Sequence, residues 1–573
     1  MVDLARLLGL GLLAGPFLWL WRRGGIAPGW HPLLVLSAAT VGVFVSGLLG
    51  QLAVGVAMVV LFCAGTLARE LLFHPRAARA ALREPAYLAF GATVVLLVVL
   101  VHGQVLQHYD NFSHWGLVVS VMLENHALPT SDDSVVRFQT YPLGGASLAY
   151  LANRTLGTAE WVSMLAHNLL LVSCALPLVS LARRRWPVGV LLYALGAMAL
   201  LTHITSPTSL LVDSAVAGLG GALLVLWLLR ADEAARHPWL GGALACALIS
   251  MKSSGTFFVA IITILAVAQV LTSRRAMSPS VHLQLWSSLA APWILWAWWR
   301  QHVETTFPTS ADSKHSVSVD RFQEVAGEKT RADLNSIRGD LGLGIVTDAR
   351  LWLLLLMILL VGAVMVRDGS LGVPERRRLL GVVGTAVLLW ELSLALMYVY
   401  SMPLGEALAL AAFPRYQGTV HLVLMLVLLA LIARSAALRR SGSPWRPAVL
   451  GTAGIAVVLS LVSPGDLQPQ RDPGVRDDLE EALAGTTVHQ DDTVCVLLEA
   501  GDGGYRAWIV RYLLQHRGVT AIVLEPEADA LPSPVQEDCD VIVLDDPRAG
   551  SRDLLRQSGV PVPTDQGTVV IVP

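Results

Sequence analysis

Asp110 stands in His108-Tyr109-Asp110-Asn111-Phe112-Ser113-His114-Trp115, directly after the largely apolar run 87–106. A carboxylate where a helix leaves a bilayer is partly desolvated, which raises its proton affinity and suits it to general base work on an acceptor hydroxyl. The bland alternative is an N-cap for the amphipathic run behind it, stabilising that helix by about 1 kcal/mol. His114 lies one turn on and on the same face, where it would tune Asp110, bind a phosphate or simply pack.

Lys252, in Ser250-Met251-Lys252-Ser253-Ser254-Gly255, separates two apolar runs. It either snorkels to the headgroups or neutralises a lipid phosphate. Arg415, in Phe413-Pro414-Arg415-Tyr416, is its late counterpart, since a guanidinium suits bidentate phosphate contacts. Lys314 and His315, within Asp312-Ser313-Lys314-His315-Ser316, belong to a solvated charge run or to a lid over a sugar phosphate. Asp213 and Glu391 interrupt apolar runs, and acids inside a membrane are costly enough to be paired or functional. Both are expected in the wall of a polar cavity. Asp132-Asp133 reads as a turn rather than a metal site, so no metal ligands are assigned and a divalent metal is left open. Gly501-Asp502-Gly503-Gly504 lacks the full phosphate-loop pattern and reads as a tight turn.

The elements that must carry these residues are mostly membrane helices. With 573 residues, 54% hydrophobic and 15% charged, the chain has too little polar surface to coat soluble domains of that size. A net charge of -2 and no basic stripe exclude nucleic acid as a partner. About fourteen runs, from 4–21 to 447–462, approach the length of a spanning helix. The first is read as a retained helix rather than a signal peptide. Arginine clusters such as Arg22-Arg23, Arg183-Arg184-Arg185, Arg274-Arg275 and Arg439-Arg440 fall in alternate loops, which marks them as cytoplasmic. The loops 108–159, 300–350 and 401–417 and the C-terminal region are then extracytoplasmic, on an integral plasma membrane protein. In the first loop, Phe112, Trp115, Val119 and Met122 recur at helical spacing, as in a helix lying in the headgroup layer with Phe112 and Trp115 as anchors. Tyr141-Pro142-Leu143-Gly144-Gly145 opens a second short helix there.

The expected organisation is a polytopic α-helical membrane domain over 1–462 and a small soluble α/β domain over 463–573. In the latter, strands near 493–498, 520–524, 541–544 and 568–572 alternate with helices near 478–483, 503–516 and 552–557. Cys495 and Cys539 share this region, but their places on or beside strands weigh against a bridge. Cys63, Cys174 and Cys246 read as small buried side chains.

Taken in order, these features resemble the GT-C superfamily of polyprenyl-phosphate-sugar-dependent glycosyltransferases. The segment from Gly241-Gly242-Ala243-Leu244 to Lys252-Ser253-Ser254-Gly255 resembles that superfamily's G-L-x-x-G-L-A-x-L-x-K-x-x-G passage. Leu211-Val212-Asp213-Ser214 resembles the aspartate-bearing helix before it, and Phe413-Pro414-Arg415-Tyr416 the late arginine-tyrosine motif. The resemblance implies that Asp110 is the catalytic base of an inverting transfer from a lipid-phosphate sugar to a glycan, lipid or protein acceptor of the cell envelope. Its motifs carry Asp213, Lys252, Arg415 and Tyr416, and the residue chemistry set out above adds His114, Lys314 and His315 around the substrates. Asn111 stands where a second acid would sit, which speaks against metal dependence. The competing reading is a transporter or flippase of lipid-linked glycans, which Glu391 fits better.

Overall fold

The computed structural model describes residues 9–131, 133, 136, 138–182, 185–272, 279–307, 319–369, 371–438, 445–462, 475–484, 487–489, 492–499, 504–515, 518–524, 539–544, 555–557 and 569–571. Each apolar run carries a helix. In chain order, those that bear on function are Gly116–Asn125 (α1), Gly144–Leu156 (α2), Asp213–Leu229 (α3), Pro238–Met251 (α4), Gly255–Thr272 (α5), Ala349–Arg367 (α6), Val373–Tyr400 (α7), Phe413–Leu438 (α8), Val475–Ala484 (α9) and Tyr505–Leu514 (α10). Among the described residues, six helices are long and apolar enough to cross a membrane, or seven if the pair Pro75–Ala81 and Pro85–Val101, bent by 71°, is one span. Shorter apolar helices, among them α3 and α4, account for part of the gap to the fourteen expected. By length and composition this is a polytopic membrane protein.

The chain divides into two compact units, Met1–Gln104 with Phe138–Gln468, and Val105–Arg137 with Pro469–Pro573. In the first, α3 is enclosed along nearly its whole length. Leu52–Phe73, by contrast, leaves Leu61, Phe62, Leu72 and Phe73 exposed. Apolar area on that scale is what a lipid phase would cover. Proline opens α4 and α7, where its missing N–H costs nothing.

The second unit contains a four-stranded sheet of Val494–Glu499 (β1), Val519–Leu524 (β2), Val541–Leu544 (β3) and Val569–Ile571 (β4), in the order β2-β1-β3-β4. β1 is parallel to β2 and β3, with Val494 facing Val519 and Val541, while β4 is antiparallel to β3. A parallel pair needs a crossover, and α10 supplies it between β1 and β2. Gly504, at φ +83°, turns the chain into α10, and residues 501–503 lie outside the described residues.

Two expectations for this unit are corrected. Phe112 and Trp115 are buried, not exposed as headgroup anchors would be. The Phe112 ring packs against Tyr505 and Tyr512, 6.1 and 5.3 Å away, and under the Arg476 guanidinium at 5.6 Å. The 105–137 segment therefore uses its aromatic face to pack on α9 and α10. Arg476 donates to the Leu106 carbonyl at 2.6 Å, Tyr505 to that of Gln107 at 2.6 Å, and Trp508 to the Tyr109 hydroxyl at 2.9 Å. Cys495 and Cys539 form a disulfide, with Cα atoms 5.7 Å apart. Parallel pairing of β1 with β3 brings Cys495 opposite Ile542, close to Cys539 at the head of β3.

Candidate functional site

In the first unit, polar chemistry converges where three helices end. Asp213 is the first residue of α3, Lys252 follows the last residue of α4, and Arg415 lies in the first turn of α8. A carboxylate in a first turn meets the positive end of the helix dipole. α4 stops because Lys252 takes an extended backbone, φ −160° and ψ 150°. The chain then folds back so tightly that a Cβ on Gly255 would sit 2.4 Å from the Leu248 carbonyl oxygen. Gly144 makes the second close approach: a Cβ there would lie 2.3 Å from Ser250 Oγ and 2.7 Å from the Ser250 carbonyl oxygen. The start of α2 thus abuts the end of α4. Trp299 Nε1 donates to the Thr140 carbonyl at 3.2 Å and holds the preceding segment, which carries Tyr141.

Lys252 Nζ donates to Asp213 Oδ1 at 2.8 Å, and Arg415 Nε lies 3.7 Å from Oδ2. The ammonium sits 5.4 Å from the centre of the Tyr416 ring and 5.9 Å from that of Tyr141. The Arg415 guanidinium lies 5.5 Å from the same Tyr416 ring. Asp213 is 5% accessible, Lys252 11% and Arg415 25%, so Arg415 is the most accessible of the three. Burial works against the Lys252 charge, yet Asp213, with Tyr416 and Tyr141, holds its pKa above the ordinary lysine value. Desolvation pushes the Tyr141 phenol up to about 12, although part of its ring is accessible. Two cations and one carboxylate thus meet here, framed by aromatic faces that favour cations.

Four expected residues, Asp213, Lys252, Arg415 and Tyr416, therefore meet, and Lys252 is ion-paired rather than snorkelling. Asp110 and His114 belong to the second unit. Asp110 precedes a π turn, Asn111–Trp115, and makes no side-chain capping bond to it; its N–H donates to His108 Nδ1 at 3.1 Å. His114 is buried edge-on against Trp115, with ring centres 4.4 Å apart. Lys314 and His315, and with them Asp132, lie outside the described residues. Asp133 staples its turn, accepting from Thr130 N–H at 2.8 Å and Asn125 Nδ2 at 3.0 Å. Among the described residues no three His, Cys, Asp or Glu side chains come together as a metal would need.

The sequence places Tyr141 only at the opening of a short helix, not at this cluster, and gives no partners for Glu391 in the polar ladder along α8. His421 Nε2 is 2.7 Å from Asp348 Oδ2, and its Nδ1 is 3.1 Å from His203 Nε2. Burial opposes the Asp348 charge, but the bond to His421 holds its carboxyl below the usual range. One turn earlier, Gln417 Nε2 donates to Glu391 Oε2 at 3.0 Å. Polar residues at 417 and 421, one turn apart in an apolar run, were the available signal. Lys329, buried, donates to the carbonyls of Tyr398, Val399 and Met402 at 2.9, 2.7 and 2.7 Å and so closes the end of α7.

No family model matches the chain, and no curated protein matches it by sequence. Among solved structures, two crystal structures of ArnT from Cupriavidus metallidurans are similar to it, one in the apo state and one bound to undecaprenyl phosphate. Each is 12% identical, with a TM-score of 0.44, over 84% of this chain and 97% of that one.

Proposed function

We propose that the protein is an inverting glycosyltransferase of GT-C type that moves a sugar from a polyprenyl-phosphate donor to a cell-envelope acceptor on the outer face of the membrane. The observation that carries this reading is the cluster of Lys252 and Arg415 on the buried Asp213, a preorganised anion site between aromatic rings. In this reaction the acceptor oxygen bonds to the anomeric carbon as the bond from that carbon to the phosphate oxygen breaks. The phosphate leaves with the electron pair, and the acceptor proton goes to the Asp110 carboxylate. Lys252 and Arg415 stabilise the charge growing on the phosphate, the electrostatic contribution that usually dominates such steps. Asp110 is assigned as base on its residue chemistry, and Lys314 and His315 on theirs as further phosphate donors. The Cys495–Cys539 disulfide supports an oxidising, extracytoplasmic location for the sheet.

Transfer of labelled sugar from a synthetic polyprenyl-phosphate donor tests the reading. Asp110→Asn should lower kcat by about 10²–10⁴-fold with donor binding retained. Arg415→Gln should chiefly raise KM for the donor. Normal transfer by Asp110→Asn would remove the proposed base. The ladder of Glu391, Gln417, Asp348, His421 and His203 favours a second reading, proton-linked transport of a lipid-linked glycan. Movement of the intact labelled lipid across vesicles, with no transfer to any acceptor, would decide for it.

A further inference from the structure

The far ends of the same helices carry a second cationic site. α3 runs from Asp213 to Leu229, and α8 continues from Arg415 to Arg434, so at 1.5 Å per residue this end lies about 24–28 Å from the first cluster. A cavity of about 380 Å³ opens there, and Arg230, Arg236, Arg378 and Arg434 line it with Asp232, Glu233 and Glu375. Glu233 and Glu375 are already engaged. Glu233 is buried, holds Arg230 at 2.6 Å and accepts the Ala27 N–H at 2.7 Å. Glu375 caps the start of α7 through the Gly372 N–H at 3.0 Å and lies 3.7 Å from Arg434. Arg378 and Arg434 reach the last carbonyls of α3, those of Trp227 at 3.1 Å and Leu229 at 3.4 Å. A guanidinium presents five donors in a fixed fork, so it can hold a helix end and a phosphate together.

The cavity does not stand alone. Arg378 also lines an apolar groove of about 460 Å³ between α5 and α7, walled by Ile261, Ile264 and Leu265 on one side and Gly381, Val382 and Leu389 on the other. From Arg378 to Leu389 it follows about 16 Å of helix. Four guanidiniums at the head of an apolar channel complement one kind of ligand, a phosphate ester joined to a hydrocarbon chain. A free phosphate would use the cavity and leave the groove unexplained.

We propose that this end of the bundle binds an anionic phospholipid, its phosphate among Arg230, Arg378 and Arg434 and an acyl chain along the groove between α5 and α7. The site is independent of the transfer chemistry proposed above.

The full chain, purified from mixed phosphatidylglycerol and phosphatidylcholine bilayers, should retain phosphatidylglycerol preferentially when its bound lipid is measured by native mass spectrometry. Arg378→Gln with Arg434→Gln should lower that preference about tenfold, equivalent to about 1.4 kcal/mol. Because those arginines also close α3, a second variant leaves them in place. A Cβ at Gly381 would meet nothing within 4 Å, so Gly381→Phe should fill the groove, fold normally and lower retention likewise. Equal retention of both lipids would overturn the proposal and leave the arginines as helix caps. Full retention by Gly381→Phe, or displacement of the lipid by inorganic phosphate alone, would overturn it in favour of a soluble anion site.

Discussion

Asp213 can be buried only because Lys252 and Arg415 share its charge. Taking one partner from a buried pair strands the other and costs about 3–5 kcal/mol, whereas removing both is often close to neutral. Because Arg415 still faces Asp213, Lys252→Met should destabilise the protein by less than that full amount in thermal or denaturant unfolding, and Asp213→Asn in the same chain should restore much of it. Arg415 is more accessible, so Arg415→Gln should cost far less stability while weakening donor binding. The pH dependence follows from the same contacts. The folded pKa of Lys252 is raised, so its stabilisation is fully present below the unfolded value near 10.4 and is lost only as pH climbs through the folded value. A phosphodiester donor is a monoanion throughout. Above the histidine range its KM should thus stay flat, from about pH 7.5 to 9, and any slope in kcat there belongs to other groups. A lysine titration in the KM profile within that window would contradict the pairing.

At the level of elements, the site depends on α2, α4 and α5 approaching without side chains between them. Gly144→Ala puts a methyl 2.3 Å from Ser250 Oγ and 2.7 Å from a backbone oxygen that cannot swing away. Overpacking of this kind costs about 1–3 kcal/mol. The start of α2 should shift, moving Tyr141 from the ammonium and lowering activity more than stability alone explains. Restoration of activity by low temperature would mark the effect as stability only. The helices themselves, and the alternation of strand and helix after 475, followed from apolar runs, prolines at helix starts and short β-branched stretches. The π turn at Asn111–Trp115 did not, because a single extra backbone residue in a turn leaves no periodic trace.

For the whole molecule, the second unit joins segments far apart in the chain, and two features bind it. The disulfide links residues 44 apart, and its loss through paired Cys495→Ser and Cys539→Ser substitutions should destabilise that unit by about 2–4 kcal/mol. Mass-shift labelling of the unfolded chain should detect two further thiols only after reduction. The aromatic seam is the second feature, since Phe112, Tyr512 and Arg476 pack the 105–137 segment on α9 and α10. The sequence by itself determined that the chain is membrane-bound, where its helices and strands lie, and which ionisable residues stand at their ends, because periodicity, helix breaks and the cost of burying charge are local properties. Tertiary structure alone decided that Asp213, Lys252, Arg415 and Tyr141 form one cluster, that Phe112 serves a sheet unit rather than a lipid surface, and that Cys495 reaches Cys539. Those outcomes depend on which side chains meet across 39 to 399 positions of chain, a matter of packing and complementary charge that no local pattern encodes.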